Sequence, residues 1–214
     1  GLDIVLGRQI SDQVLHAMSA YAVYDNRVVE LLSANYSEYT TVDLDLNGCT
    51  DIVILRSDSN DRNGVVELYR YRNGQLERDP EARMSTATES IQRIVTGQVD
   101  NNVPAVFVAS TYEENNLVTD IFAMKDGTFQ NISYSAESGT STQTVSNYYV
   151  YATDIDSDGI IELPRLELLR TTNADDGGYW IIHWYKLKLN GENEDKLTTY
   201  HNYSAGWYVT IPDA

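Results

Sequence analysis

Hydrophobic and polar residues alternate with a period of two through most of the chain. "DIVILRS", "VVELYRYRNG", "PAVFVAS", "LVTDIFAMKDG" and "YWIIHWYKLKLNG" are short runs rich in Val, Ile, Tyr and Phe, separated by N-G, D-G and G-G turns. Runs of this kind, bounded by turn dipeptides, predict antiparallel strands and hairpins. Two stretches depart from the pattern: "SDQVLHAM" at 11 to 18 and "STATESIQ" at 85 to 92 each suit a short helical turn. The expected fold class is all-β.

The pattern repeats. "DLDLNGCTDI" at 43 to 52 and "DIDSDGIIEL" at 154 to 163 share one layout, and each leads into a strand, a polar turn and a second strand. A middle copy, "IVTGQVDNNVPAVFVAS" followed by "LVTDIFAMKDG" and "TFQNISYSA", keeps the rhythm without the carboxylates, with Gly97 where Asp43 would fall. The steps from Asp43 to Gly97 to Asp154 are 54 and 57 residues. "LDIVLG", "HAMSAYAVYDN" and "RVVELLSANYS" make a partial copy at the start. The expected units are 2–40 (partial), 41–95, 96–151 and 152–214, forming one repeat domain within a longer protein. About four strands per unit at this period predict β-propeller blades, with a β-sandwich as the alternative. Closure with so few units would need a C-terminal strand to complete the first blade.

The two acidic stretches carry the candidate chemistry. Calcium takes six to eight oxygen ligands, and alternating carboxylates on a short loop supply them. In the later loop Asp154, Asp156 and Asp158 take positions 1, 3 and 5, Gly159 permits the bend, the Ile160 carbonyl serves at position 7 and Glu162 closes at position 9. In the earlier loop the same places fall to Asp43, Asp45, Asn47, Gly48, the Cys49 carbonyl and Asp51. An EF-hand would need a bidentate Glu at position 12, where Ile54 and Arg165 stand instead. Counting carboxylates, the later loop, with four against three and an amide, is expected to bind calcium more tightly.

The spacing D-x-D-x-[DN]-G-x-x-[DE] before an apolar strand resembles the FG-GAP/VCBS repeat of integrin α-subunit-type β-propellers. The resemblance implies that each acidic loop joins the first two strands of a blade and holds a structural Ca²⁺. Loops of this modest quality suit the millimolar calcium outside the cell, so an extracellular or cell-surface-anchored module that binds a protein or glycan ligand is expected.

Composition narrows the partners. The 214 residues carry 15 Lys and Arg against 32 Asp and Glu, a net charge of −17. Nucleic acid and anionic membranes are disfavoured, because phosphate binding needs clustered cations. The single cysteine, Cys49, excludes an intramolecular disulfide and a cysteine-rich zinc site. No apolar run reaches the length of a transmembrane helix, and the opening "GLDIVLG" falls inside a strand, so the natural protein is expected to extend upstream.

Weaker signals favour structure over catalysis. "NADDGGYW" at 173 to 180 resembles the Asp-box turn of sialidase-type propellers in Asp175, Gly177 and Trp180. His16, His183 and His201 show no metal-ligand spacing, and His183 lies in a strand beside Tyr185. Asn35, Asn131 and Asn202 begin N-x-S sequons. Trp180, Trp184 and Trp207 with the Tyr clusters suit either core packing or stacking on sugar rings. With no triad, H-E-x-x-H or P-loop, the expected role is a non-catalytic binding or scaffold module. A carbohydrate-active propeller enzyme, glycosidase or lyase, is the alternative.

Overall fold

In a computed structural model, residues 4–9, 16–112, 116–133, 144–145, 150–170, 178–189, 197–204 and 209–210 are described. They form an all-β protein of four antiparallel sheets, none closed into a barrel.

Each sheet is a meander of chain neighbours. The first comprises β1 (Ile4–Gln9), β2 (His16–Tyr24) and β3 (Arg27–Tyr36). The second runs β4 (Glu38–Val42), β5 (Asp51–Arg56), β6 (Val65–Arg72) and β7 (Gln75–Arg78), with β8 (Ala82–Arg83) also paired to β6. The third runs β9 (Ile91–Asp100), β10 (Val103–Tyr112), β11 (Asn116–Lys125) and β12 (Thr128–Asn131), with β13 (Thr144–Val145) on β11. The fourth holds β14 (Leu163–Arg170), β15 (Gly178–Leu189) and β16 (Leu197–Ser204), with β17 (Val209–Thr210) on β15.

Two of the hairpin turns, at Asn73-Gly74 and Asp126-Gly127, are ones the dipeptides predict, and Asp25-Asn26 is a further turn of the same kind. Asp25-Asn26, Asn73-Gly74 and Asp126-Gly127 all have positive φ, the conformation whose twist matches the flanking strands. Of the two predicted helical turns, 85–92 contains the 3-10 turn Thr88–Ser90, whereas 11–15 lie outside the described residues and His16–Met18 belong to β2. The strand alternation of β2 prevails there because Met18, Ala20 and Ala22 all bury on one face.

The sheets pack face to face in chain order, and the alternation of single strands sorts residues between successive interfaces. On β5, Ile52 and Ile54 pack with Met18, Ala20 and Tyr36 of the first sheet. Their neighbours Val53 and Leu55 turn the other way, to Val106, Val108 and Phe122 of the third. On β10, Ala105 and Phe107 join Leu163 and Leu187 of the fourth sheet and Ile161 just before it. The two middle sheets are thus covered on both sides, which is why β5 and β10 read as nearly continuous apolar runs.

The outer face of the first sheet leaves Ile4, Leu6, Val23 and Val28 exposed. Among the described strands, β1–β3 pair only with one another, and β16 and β17 both pair with β15. A C-terminal strand completing the first sheet is therefore not found among them.

Candidate metal centres

The first acidic loop sits between the first two strands of its sheet, and the second immediately precedes the first strand of its own. The first joins β4 to β5, and Val42 pairs with Asp51 across its base. The second is closed by a bridge between Thr153 and Glu162, just before β14.

The two loops are built alike bond by bond. Asp43 accepts the backbone N–H of Asn47 at 3.1 Å and of Gly48 at 2.9 Å. Asp154 accepts those of Asp158 at 3.1 Å and Gly159 at 2.9 Å. The Cys49 N–H donates to Asn47 Oδ1 at 2.7 Å, and that of Ile160 to Asp158 Oδ1 at 2.9 Å. The Leu44 N–H donates to Asp51 Oδ2 at 3.0 Å, and that of Ile155 to Glu162 Oε2 at 2.9 Å. Left-handed backbone falls at equivalent points too: Leu46 (φ 55°) and Gly48 (φ 80°) in one, Ser157 (φ 62°) and Gly159 (φ 88°) in the other. Short Asp and Asn side chains turn the backbone in this way by accepting its N–H groups.

The folding of each loop gathers its acids. Carboxylate oxygens of Asp43, Asp45 and Asp51 lie within 4.8 Å of one another, as do those of Asp154, Asp156 and Glu162. Asn47 and Asp158 spend one side-chain oxygen each on capping the turn. The closing acids are the buried ones, Asp51 and Glu162 both at 0 % exposure. Burial, with the charges of Asp45 and Asp43 adding to it, pushes the Asp51 carboxyl up to about 6 against the pull of two backbone N–H donors. Burial likewise raises Glu162.

Two oxygens test whether the sites suit a cation. Asp45 Oδ1 and Glu162 Oε1 are buried with no hydrogen bond. The Lys186 ammonium is 3.2 Å from Glu162 Oε1, close enough for an ion pair but not aligned as a hydrogen bond. A buried carboxylate oxygen without a donor is costly unless a cation faces it. The residue set, all oxygen donors, suits a hard divalent ion.

The cations that do approach differ between the loops. Arg72 donates to Asp45 Oδ2 at 2.6 and 3.2 Å, while Arg70 is held by Asp79 in a bidentate pair and stays 3.7 Å from Asp45. In the second loop Lys186 pairs with Asp156 at 3.1 Å, with Asp158 and with Glu162. The pairing with these three carboxylates holds its ammonium well above the usual lysine range despite burial.

Strand register explains the placement. Ile52 pairs with Tyr69, Leu163 with Tyr185 and Phe122 with Val106. One residue beyond these pairs stand Asp51 and Arg70 in the second sheet and Glu162 and Lys186 at the fourth, where the third has the pair Ala105 and Ala123. The third sheet thus replaces an acid and a base by two alanines, both fully buried. Its connection is also tighter, Gly97 being the partner of Ala105.

Sequence reasoning missed Arg70, Arg72 and Lys186. A signal was present: "YRYR" at 69 to 72 and "YKLK" at 185 to 188 repeat a basic residue at alternate positions, where the middle copy has "FAMK".

The remaining candidates take structural places. His16 packs its ring 5.3 Å from that of Tyr36, and Trp184 is buried at 5 % exposure. Asn131 donates to Asp120 and to the Arg83 carbonyl, whereas Asn35 is exposed on β3. The side chains of His183, His201, Asn202 and Trp180, residue Trp207 and the 173–177 turn lie outside the described residues.

Comparison with known proteins gives no match to a family model, a curated protein or a solved structure. Among the described residues, no helix is long and apolar enough to cross a membrane.

Proposed function

We propose that this chain is a calcium-stabilised repeat module of the FG-GAP/VCBS type, its sheets serving as successive propeller blades. Its role is to present a binding or scaffold surface, for a protein or glycan ligand, in a secreted or cell-surface protein. The observation that carries the reading is the congruence of the two loops. Four equivalent backbone-to-side-chain hydrogen bonds and two equivalent left-handed residues recur in sequences that share only their acids and glycine. An ordinary hairpin turn needs neither a buried carboxylate nor three acids aimed at one point. The stacking of four sheets in chain order supports the blade reading, since propeller blades cover one another in the same manner.

Bound calcium would supply positive charge to each carboxylate cluster beyond what Arg72 and Lys186 bring. Asp43, Asp45 and Asp51 would hold it in the first loop and Asp154, Asp156 and Glu162 in the second, with Asn47, Asp158 and the Cys49 and Ile160 carbonyls as further oxygen donors. The role is structural: Asp51 and Glu162 belong to the bases of the strands that build the sheet interfaces, so holding the loop holds the sheet. Weak sites suffice where calcium is millimolar, which favours an extracellular setting.

Thermal unfolding in EDTA and in millimolar CaCl₂ tests this. An ion that binds only the folded chain adds about 2.7 kcal/mol at a hundredfold excess over Kd. Wild type should melt higher in calcium, and Asp43→Asn with Asp154→Asn should lose the shift. A wild-type midpoint indifferent to calcium would reduce both loops to turns.

A further inference from the structure

We propose that the Lys186 ammonium is the resident cation of the second loop, so that the protein takes up one divalent ion tightly, in the first loop. The second loop then accepts an ion only by expelling Lys186. The inference rests on the calcium reading above and reverses the order that counting carboxylates gives.

The geometry separates the two loops. The Lys186 side chain is 5 % exposed, and its Nζ reaches Asp156 Oδ2 at 3.1 Å, Glu162 Oε1 at 3.2 Å and Asp158 Oδ2. An ammonium has three donors, and three carboxylates surround this one. Two of the three, Asp156 and Glu162, belong to the cluster that would ligate the metal. A calcium ion drawing oxygens to within about 2.3–2.6 Å would occupy the same space as the ammonium and repel it. Both cations cannot be held.

The first loop has no such occupant. Arg72 lies at its rim, 39 % exposed, and engages only Asp45 Oδ2, which leaves Asp45 Oδ1 buried and bare. Arg70, which holds the sequence position of Lys186, is bound by Asp79 in a bidentate pair and comes no nearer Asp45 than 3.7 Å, at the same Oδ2 that Arg72 engages. Asp43 and Asp51 accept backbone N–H groups, and a carboxylate oxygen with one such donor keeps a lone pair for a metal.

Expulsion has a route. Asp158, at 43 % side-chain exposure, and Asp156, at 30 %, form the open side of the second loop. The flexible lysine stem can carry its head past them into water while its methylenes stay packed. The exchange gives up charge-assisted hydrogen bonds, so the second loop should bind roughly tenfold or more weakly than the first.

Calorimetric titration of the full chain with CaCl₂, after removal of metal with EDTA, decides the matter. Wild type should show one tight equivalent. Asp43→Asn should abolish it and Asp154→Asn should leave it. Lys186→Met should add a second equivalent of comparable affinity, while Lys125→Met, which changes the net charge equally on the sheet that lacks an acidic loop, should not. Because Lys186→Met leaves three acids unpaired and can fail to fold without metal, the Asp43→Asn variant also stands alone as a test, with Lys186 in place. If Asp43→Asn still binds as tightly as wild type and Asp154→Asn does not, the inference is wrong and the calcium reading survives. Two equal wild-type sites unaffected by Lys186→Met would overturn the inference in the same way. No calcium binding by any variant overturns both.

Discussion

Ile161 rests directly on Gly97. A Cβ placed on Gly97 would come within 2.6 Å of Ile161 Cγ1 and 2.8 Å of Cδ1, while the Ile161 N–H donates to the Gln98 carbonyl at 2.8 Å. The third and fourth sheets therefore meet through the space a side chain would fill. Ile161 is stiff at χ1 and pinned by its backbone bond, so it cannot step aside freely. Gly97→Ala should cost about 1–3 kcal/mol in urea unfolding. In the double variant with Ile161→Ala the cost should fall well below the sum of the two. A neutral Gly97→Ala would mean that the two sheets are not packed as described.

Asp120 makes a comparable junction between the second and third sheets. Its fully buried carboxylate accepts the Ser85 N–H at 2.7 Å, the Ser85 hydroxyl at 2.6 Å and the Asn131 amide at 2.9 Å. Asp120→Ala should destabilise by about 1–3 kcal/mol, because it removes a buried acceptor that Ser85 and Asn131 share and leaves their donors without it. Asp120→Asn, which keeps an acceptor, should cost less. Equal losses for the two would show that packing rather than hydrogen bonding sets the effect.

The loop glycines should act through the backbone alone. Gly48 (φ +80°) and Gly159 (φ +88°) have open space where a Cβ would lie. Alanine at either position meets no neighbour but must adopt a left-handed conformation, a cost of about 1 kcal/mol. Gly48→Asn should be milder, since Asn tolerates that region. Chemical denaturation of the three variants side by side would reveal the ranking, and a neutral Gly159→Ala would contradict it.

The raised Asp51 carboxyl gives stability a pH dependence when calcium is absent. Its folded value of about 6 exceeds its ordinary value of 3.8, so the folded chain binds a proton more readily than the unfolded one. The contribution is fully present below about pH 4 and is lost as pH rises through about 6. In EDTA, wild type should therefore lose stability relative to Asp51→Asn between those limits. With calcium the sign reverses, because an ion needs the deprotonated carboxylate and binds better as pH rises. Denaturant titrations at pH 4, 5, 6 and 7, with and without calcium, read both slopes.

Much of this molecule is local, and what is local was legible. A strand shows itself through neighbours two residues apart, and a turn such as Asn73-Gly74 through the φ that only a few residues accept. The acidic loops belong to the same class. Asp43 reaches the N–H groups of residues four and five positions on, and Asp51 reaches back seven, so the fold of the loop is written within one short run. Alternation also gave the buried strands, but it could not say which neighbour each face would meet. That Ile52 turns to the first sheet and Val53 to the third depends on the order in which sheets stack.

What tertiary structure alone decided was the company those acids keep. Lys186 reaches Asp156 and Asp158 from 30 and 28 residues away, and Arg72 reaches Asp45 from 27. The alternate bases of "YRYR" and "YKLK" look equivalent in sequence. Only the packing draws Arg70 off to Asp79 and sends Lys186 into the loop. Charges count up from composition, but which carboxylate a given cation neutralises is set by strand register and burial. A one-residue slip in either hairpin would carry the cation to the opposite face of its sheet.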